Sequence, residues 1–567
     1  MIRAVRRRLA AVVRSGLPVL ASPRVMRYEA GARFWRGAVA APGIPDGLRA
    51  ELADRVKAGL LQVGRPSDAA TVFSRAARHV RSPALRADLL IKSVGAELTT
   101  GRLPTELQAA WAAELARTDA LLHKGQTRRA AVSLGKALSL GFHRGVHFDG
   151  LSSPLAEDPA GFLGPLRQSQ VARTLNARRR STPAAPRPRD RPMRLLIATW
   201  TNDNFLREIR QRYEQSPDVE VRFVDLAADP LRKPLGRRSE PMLAHLLGAA
   251  GSEYGDQVEH WLRPHLDWAD TLFIDWCVAA AVLFTMLDPG RTRIVVRLHS
   301  YELFTAWPHL AALARVDDLI VVSRHMRALA LAALPQLSVE GAPRLSVIAN
   351  AMDLPRYRRP KSAESRFNLG LVGVGSVAKD VRWAIDVLRA LRERDGRYRL
   401  LLIGEDLDPE ASASARRYHE LVARDLADLE PSGAVRRLGR TDDVPAALVD
   451  VGVILSSSVR ESFHCALVEG AASGAVPVVR DWPFFARWDG GARGLFPADW
   501  VVDTPAQAAD RILATTGSDA AWRETGQAAA EHALATWDWT VTRRQFDELL
   551  LGSDETLVQR GSDETLV

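Results

Sequence analysis

The sequence predicts an α/β protein with two Rossmann-like domains facing a cleft, preceded by an α-helical N-terminal domain. Two observations carry this prediction. Short apolar runs alternate with helical segments from residue 193 onward, and an alanine-rich helical pattern fills about 47–175 before them. Strands that alternate with helices form parallel sheets. Two successive sets of such strands indicate two sheets, and ligands of such sheets bind beyond the carboxyl ends of the strands.

Length and composition exclude several classes of protein. The chain has 567 residues, of which 47% are hydrophobic and 25% charged, as is typical of a globular protein with several domains. No apolar run approaches the ~18 residues of a membrane-spanning helix. The two cysteines, Cys277 and Cys465, cannot form a disulfide framework, and no Cys/His cluster has zinc spacing. A disulfide scaffold, a zinc module and a membrane-spanning protein are therefore excluded.

Charge is distributed unevenly along the chain. Residues 1–192 hold 33 Lys and Arg against 14 Asp and Glu, whereas the remainder holds 44 against 53. We expect the basic front to be attracted to an anionic membrane surface or wall polymer. Residues 1–14 have the pattern of a basic amphipathic helix, which either lies at a membrane interface or forms a solvated or docked arm. Nucleic-acid binding is not expected, because aromatic residues do not interleave the basic segments.

Short turns divide the alanine-rich region at intervals of 17–23 residues. The turns are Gly64-Arg65-Pro66, Arg81-Ser82-Pro83, Gly101-Arg102-Leu103-Pro104 and Lys124-Gly125-Gln126. This spacing predicts antiparallel helix pairs, loosely like tetratricopeptide repeats, so that 1–175 forms a basic helical module. The Arg/Pro-rich stretch 176–192 is then an extended linker.

Ten apolar runs are the predicted strands. The first set is 195–198, 221–224, 272–274, 294–296, 319–322 and 345–348, and the second is 369–372, 400–403, 453–455 and 476–479. They assign 193–355 to one Rossmann-like domain and 356–538 to another. Residues 539–551 are a predicted helix that crosses back to the first domain. The tail 552–567 repeats Gly-Ser-Asp-Glu-Thr-Leu-Val and is predicted to be disordered.

The segment after the strand at 453–455 carries the clearest chemical pattern. Glu461 is expected in a loop and Glu469 in the helix that follows it. Between them, the free backbone N–H groups of Phe463, His464 and Cys465 would lie at a helix N-terminus, which favours a diphosphate. Carboxylates are poor phosphate ligands but accept hydrogen bonds from sugar hydroxyls. The pattern therefore favours a nucleotide sugar.

These residues resemble the donor site of GT-B glycosyltransferases of family 4. The spacing of Glu461 and Glu469, followed by Gly470 and then Ala472-Ser473-Gly474, is that family's pattern. Four further segments resemble its landmarks in the same order along 193–550. These are the loop Arg297–Glu302, the stretch Val347–Asp353, Val372-Gly373 with Lys379, and Leu438-Gly439-Arg440.

The resemblance implies a role for each matching residue. Glu461 would contact hydroxyls of the donor sugar and Glu469 those of the ribose. Lys379 would neutralise the diphosphate leaving group together with the N–H groups at 463–465. His299 would reach the donor sugar from across the cleft. The nucleotide would also lie against Gly373 and Arg440.

Two departures from the family pattern affect the donor site. The family's diphosphate arginine aligns with Val374, and Arg382 either replaces it or is a solvated helix residue. His464 stands where the family often has glycine, so its imidazole is expected to contact phosphate or sugar.

The predicted function is that of a retaining, metal-independent glycosyltransferase without a cofactor. It would move a sugar from a nucleotide diphosphate to a glycan, lipid-linked or cell-envelope acceptor, as in bacterial capsule or envelope polysaccharide synthesis. We expect a cytoplasmic protein, peripheral to the inner face of the membrane if the basic module binds there. Two alternatives stay open: a catalytically silent scaffold, favoured by Val374, and a nucleotide-sugar epimerase of the same fold.

Overall fold

Two parallel six-stranded sheets follow a helical N-terminal region, which confirms the predicted fold class. The structure is a computed structural model and describes residues 23–486, 488 and 490–551. The amphipathic helix predicted at 1–14 and the duplicated tail at 552–567 lie outside the described residues. Within them, no helix combines the length and the apolarity needed to cross a bilayer.

The first sheet has the strand order β2-β1-β3-β4-β5-β6. Its strands are β1 Met193–Thr199, β2 Val219–Asp225, β3 Thr271–Asp275, β4 Arg293–Leu298, β5 Asp318–Val321 and β6 Arg344–Val347. Every residue of β3 is buried, as expected for a strand covered by helices on both faces. The strand order reverses between β1 and β3, so the crevice of this sheet opens at their carboxyl ends.

The second sheet has the order β12-β11-β10-β7-β8-β9, which reverses between β7 and β10. Its strands are β7 Asn368–Val372, β8 Arg399–Ile403, β9 Val435–Gly439, β10 Val453–Ser456, β11 Val476–Arg480 and β12 Val501–Val502. The sequence analysis missed β9 and β12. Four of the five residues of β9 are exposed at the sheet edge and β12 has only two residues, so neither forms an apolar run of strand length.

Twelve helices precede the first strand among the described residues, and we call them the helical module. They are α1 Pro23–Met26, α2 Glu29–Ala38, α3 Asp46–Gln62, α4 Pro66–His79, α5 Pro83–Leu98, α6 Leu107–His123, α7 Thr127–Gly141, α8 Arg144–His147, α9 Pro154–Glu157, α10 Pro159–Phe162, α11 Gly164–Gln168 and α12 Gln170–Leu175. Proline begins α4 and α5, where the missing N–H costs no helical hydrogen bond.

The other helices surround the two sheets. Those of the first domain are α13 Arg207–Glu214, α14 Glu240–Leu246, α15 Glu253–Trp268, α16 Ala279–Met286, α17 Ser300–Leu303, α18 Trp307–Leu310 and α19 Arg324–Ala333. Those of the second are α20 Val381–Arg392, α21 Ala413–Leu426, α22 Val444–Ala447, α23 Cys465–Ala472, α24 Ala492–Leu495, α25 Pro505–Thr516 and α26 Asp519–Trp537. The last helix, α27 Trp539–Leu551, packs Phe546 and Leu550 into the core of the first sheet.

The helical module contacts both sheet domains. Phe142 of the module packs against His309 of the first domain, with ring centroids 5.2 Å apart, and Arg167 donates to the carbonyl oxygen of Ala332. On the other side, the Ser414 hydroxyl at the start of α21 donates to the carbonyl oxygen of Gly145 over 3.2 Å. The module therefore spans the side of the cleft between the two sheets.

Candidate active site in the interdomain cleft

The loops at the reversal point of the second sheet bring three predicted residues together. Gly373 follows β7 with φ +82°, a left-handed conformation that glycine adopts without strain. A Cβ on Gly373 would lie 3.6 Å from Lys379 Cε, so the lysine side chain passes directly over this glycine. Glu461 lies in the loop after β10, and its carboxylate accepts a 2.7 Å hydrogen bond from Lys379 Nζ.

Glu461 is an ionised carboxylate held by three neighbours. The Ser458 hydroxyl donates to Oε1 over 2.7 Å, the same oxygen that Lys379 contacts, and His464 Nε2 lies 3.7 Å away. Burial alone would raise the pKa of this carboxyl, but His464 and Lys379 lower it to about 2. Glu461 therefore carries a negative charge at neutral pH and can accept hydrogen bonds.

The N-terminus of α23 faces the same loop. Phe463 is buried against Trp537, with centroids 6.2 Å apart, and Cys465 Sγ accepts a 3.2 Å hydrogen bond from the Asn350 side chain. Within the described part of the chain, the backbone N–H groups of His464 and Cys465 donate to no acceptor. The start of this helix thus presents free donors beside the Lys379 ammonium, a combination that favours an anion.

His464 is buried at the N-cap of α23 in a left-handed conformation, with φ +71°. Burial lowers the pKa of its imidazole to about 4, so the ring is neutral at pH 7. A non-glycine residue in this conformation carries a strain of roughly 1–2 kcal/mol.

We expect His464→Gly to be more stable than His464→Ala by about 1 kcal/mol, because both variants lose the ring but only glycine releases the backbone strain. Urea unfolding of the two variants measures this difference. Equal free energies of unfolding would contradict the presence of strain at this position.

Glu469 lies in the second turn of α23, at the other end of the site. Tyr357, in a 3-10 turn after β6, accepts a 2.9 Å hydrogen bond from Arg356, and its hydroxyl lowers the pKa of the Glu469 carboxyl. Burial raises the pKa of Glu469, and the nearby charge of Glu208 raises it further. Since Glu208 belongs to α13, this end of the site lies where the two domains meet.

His299 follows β4 and forms the wall of the cleft on the first domain. Its imidazole stacks on the indole of Trp276 with centroids 4.2 Å apart and on Phe205 at 5.1 Å. Behind it, Asp275 accepts two hydrogen bonds from Arg297, of 2.7 and 2.9 Å, and both side chains are fully buried. Asp275 Oδ1 also lies 3.6 Å from His299 Nε2. The ring is therefore held on three sides before any ligand binds.

Several buried polar atoms around the cleft have no hydrogen-bond partner. Among the described residues these include His299 Nε2, Trp276 Nε1, His464 Nδ1 and Asn350 Oδ1. Buried polar groups are nearly always hydrogen-bonded, so a group of unsatisfied atoms at one cleft indicates a site for a polar ligand. His299 and Trp276 belong to the first domain and His464 to the second.

Two predicted residues lie apart from this group. The guanidinium of Arg382 donates a 2.5 Å hydrogen bond to Asp425 on α21. Arg440 is exposed after β9 and donates to Glu405 over 3.0 Å. Val374, at the position of the missing family arginine, is buried in the core of the second sheet.

Comparison with known proteins finds a family match within the second sheet domain. Residues 366–515, which hold Lys379, Glu461 and Glu469, match the model of the family "Glycosyl transferases group 1". Over this stretch the second sheet domain is similar to group 1 glycosyltransferases. Residues 366–515 contain all six strands of the second sheet, β7 to β12. The match therefore includes the point between β7 and β10 where the strand order reverses.

Two curated proteins from Xanthomonas are similar to part of this chain. Two proteins named GDP-mannose:cellobiosyl-diphosphopolyprenol alpha-mannosyltransferase, from Xanthomonas oryzae pv. oryzae and Xanthomonas campestris, are each 24% identical over 207 residues. The match takes in 36% of this chain, and the chain spans about half, 52%, of the length of each relative.

Solved structures are similar at low sequence identity. HepE of Anabaena, solved with UDP and glucose, is 17% identical with a TM-score of 0.47, covering 64% of this chain and 100% of HepE. Sucrose-phosphate synthase of Thermosynechococcus elongatus is 17% identical with a TM-score of 0.45, covering 63% of this chain and 98% of that one. TarM is 15% identical with a TM-score of 0.42, and the match covers 53% of this chain and 59% of the TarM chain.

The sequence analysis missed residues that position the candidate site of the second sheet domain. Arg480, at the end of β11, donates to the Asp380 carboxylate over 2.6 Å and to the Ser457 carbonyl over 3.2 Å. Ser457 in turn donates to the backbone carbonyl of Lys379. Arg480 thus fixes the loop that carries Lys379. The sequence did contain a signal for this role, because Arg480 is a cation at the carboxyl end of the apolar strand β11.

Proposed function

We propose that this chain is a retaining glycosyltransferase that moves a sugar from a nucleoside diphosphate sugar to a glycan, lipid-linked or cell-envelope acceptor. The observation that carries the proposal is the pair of Lys379 with Glu461, which lies in the loop that leads into the free N-terminus of α23. A cation and free N–H donors beside an ionised carboxylate support binding of a diphosphate together with sugar hydroxyls.

Leaving-group stabilisation is the main chemical task in this proposal. When the bond between the sugar C1 and the diphosphate oxygen breaks, the oxygen keeps the electron pair, and Lys379 with the α23 N–H groups would stabilise its charge. The acceptor hydroxyl oxygen then bonds to C1 on the same face and its proton passes to the departing diphosphate. Glu461 would hold the sugar in place, and Glu469 would hold the ribose through its hydroxyls.

The donor is tested by thermal-shift measurements with GDP, UDP, ADP and dTDP and their sugars. The names of the Xanthomonas relatives make GDP-mannose the first to try. A nucleotide present at 100 times its dissociation constant should raise the stability by about 2.7 kcal/mol. We expect one nucleotide family to raise the Tm of the wild type and to have little effect on Glu469→Gln.

Glu420→Gln is the matched control, because Glu420 is an exposed carboxylate on α21. It should respond to nucleotide as the wild type does. If no nucleotide raises the Tm of the folded wild type, the scaffold alternative replaces the proposal. If a donor sugar is isomerised or released at the same rate with and without glycan acceptors, the epimerase alternative replaces it.

Association with a membrane is a separate part of the proposal. The excess of Arg over acidic residues in 1–192 supports binding of this region to anionic lipid or to an anionic wall polymer. Sedimentation with vesicles of phosphatidylglycerol, compared with vesicles of phosphatidylcholine, tests it. If the protein binds both kinds of vesicle equally, or binds neither, the proposed association with anionic lipid is wrong.

A further inference from the structure

Among the described residues, Arg460 has no carboxylate within salt-bridge distance, and it lies at the junction of the three parts of the molecule. It directly precedes Glu461, and its Nη1 atom is buried with no hydrogen bond. Burial lowers the pKa of the guanidinium to about 10, which still leaves it charged at neutral pH. The residue is partly buried, and a guanidinium nitrogen that is buried without a partner favours binding of an anionic group beside it.

Both carboxylates near Arg460 are already bound by other cations. Glu461 accepts from Lys379 over 2.7 Å, and Asp149 accepts from Arg144 over 2.9 Å. In the described chain neither of them comes within salt-bridge distance of Arg460, although both act on it electrostatically. The guanidinium is therefore available to a further anionic group.

Aromatic rings from three parts of the chain surround this guanidinium. Phe148 of the helical module lies 4.7 Å from it, Phe304 of the first domain 4.8 Å, and Phe484 of the second domain 5.9 Å. Tyr301, half exposed, packs against Phe148 at 5.0 Å and extends the aromatic surface toward solvent. Aromatic walls around a single charged group are typical of sites that orient one end of a ligand.

We propose that Arg460, with Phe148 and Phe304, forms a subsite for an anionic group of the acceptor, a sugar carboxylate or a phosphate. The inference rests on the proposed function, because it assigns the acceptor side of that reaction. The donor diphosphate already has Lys379 and the start of α23. Phe148 of the helical module lies 4.7 Å from the guanidinium of Arg460, so this group is in contact with the module. The module thereby contributes Phe148 to acceptor binding.

The test measures binding of three probes, glucuronate, glycerol phosphate and glucose, by calorimetry in the presence of the nucleotide that binds the protein. Wild type should bind at least one of the two anions and bind it more tightly than glucose. Arg460→Gln should weaken that binding about tenfold or more, since a charge-assisted pair is lost, and Arg460→Lys should retain part of it. The anion that binds distinguishes an acidic sugar from a phosphate acceptor.

Arg523→Gln is the matched control, because Arg523 also lies over an aromatic ring, that of Trp522 at 5.1 Å, but on the outside of α26. It should bind the probes as the wild type does. Absence of anion binding in the wild type, or equal binding in Arg460→Gln, would overturn the subsite. Both Arg460→Gln and Arg460→Lys could lower the Tm and the nucleotide affinity while anion binding stays unchanged. This result would show that Arg460 only holds the domains together.

Failure of the subsite is distinguishable from failure of the proposed function. Nucleotide binding that depends on Glu469 tests the donor site and does not involve Arg460. If nucleotide binds and neither anion does, the glycosyltransferase proposal stands and the acceptor subsite falls. If anions bind through Arg460 but no nucleotide binds, the anion site stands and its assignment to an acceptor falls.

Discussion

Lys379→Met should lower kcat/KM for sugar transfer by about 10²- to 10³-fold, the effect typical of losing one donor that stabilises a developing anion. Lys379 is paired over 2.7 Å with Glu461, which lies in the loop that leads into α23. Since Val374 stands where the family has an arginine, we expect no second cation to compensate. Initial rates with the donor identified by thermal shift measure the effect.

Arg389→Gln is the control for this prediction. Arg389 lies on α20, ten residues further along the chain, and donates to the carbonyl oxygen of Asp425 on the protein surface. It should keep the activity of the wild type. A Lys379→Met variant as active as Arg389→Gln, with normal folding, would contradict the role of Lys379 in stabilising the leaving group.

Arg297→Met should destabilise the protein by about 3–5 kcal/mol, because it leaves the Asp275 carboxylate buried without its partner. Both side chains of the pair are fully buried, and Arg297 also donates to the carbonyl oxygen of Phe205 over 3.0 Å. Urea unfolding measures the loss. Arg194→Met is the control, since Arg194 forms an exposed pair with Glu220 at 3.5 Å and should cost about 0–1 kcal/mol.

The double variant Arg297→Met with Asp275→Leu tests the explanation. Two apolar side chains in place of the pair should restore most of the lost stability, because no buried charge is left unpaired. If the double variant is as unstable as Arg297→Met, the loss comes from packing around Arg297 and the electrostatic explanation is wrong.

The same pair predicts the pH dependence of the effect. Burial opposes ionisation of Asp275, but Arg297 and His299 lower its pKa to about 2 from an ordinary value of 3.8. Because the pKa of Asp275 is lower in the folded than in the unfolded protein, its ionisation stabilises the folded state at pH values above its pKa in the unfolded protein. This stabilisation is lost as the pH falls through the pKa of Asp275 in the folded protein. The difference in stability between wild type and Arg297→Met should therefore shrink as the pH falls from about 4 toward 2. A constant difference would contradict the pairing.

The buried strands and the positions of Glu461 in a loop and Glu469 in the next helix could be predicted from the sequence because their signals are local. An apolar run such as β3 and the spacing of Glu461 and Glu469 are both visible in a short window. Strand β9 has no such signal, because an exposed edge strand does not need apolar residues. Its place in the sheet depends on pairing with β8.

The surroundings of His299 could not be predicted, because they depend on contacts between distant segments. Phe205, Trp276 and His299 follow three different strands of the first sheet and meet only when β1, β3 and β4 align in parallel. The unpaired state of Arg460 is a similar case. The sequence places it beside Glu461, but only the docking of the helical module brings Phe148 against it.

The hydrogen bond between Ser414 and Gly145 has a consequence for motion of the domains. The helical module is held on the first domain through Phe142 and Arg167, and it also contacts the start of α21 in the second. If the two sheet domains rotated apart, the second domain would separate from the module as well as from the first domain, because the module is held on the first domain. We therefore expect any such opening to require the loss of the contact between α21 and the module.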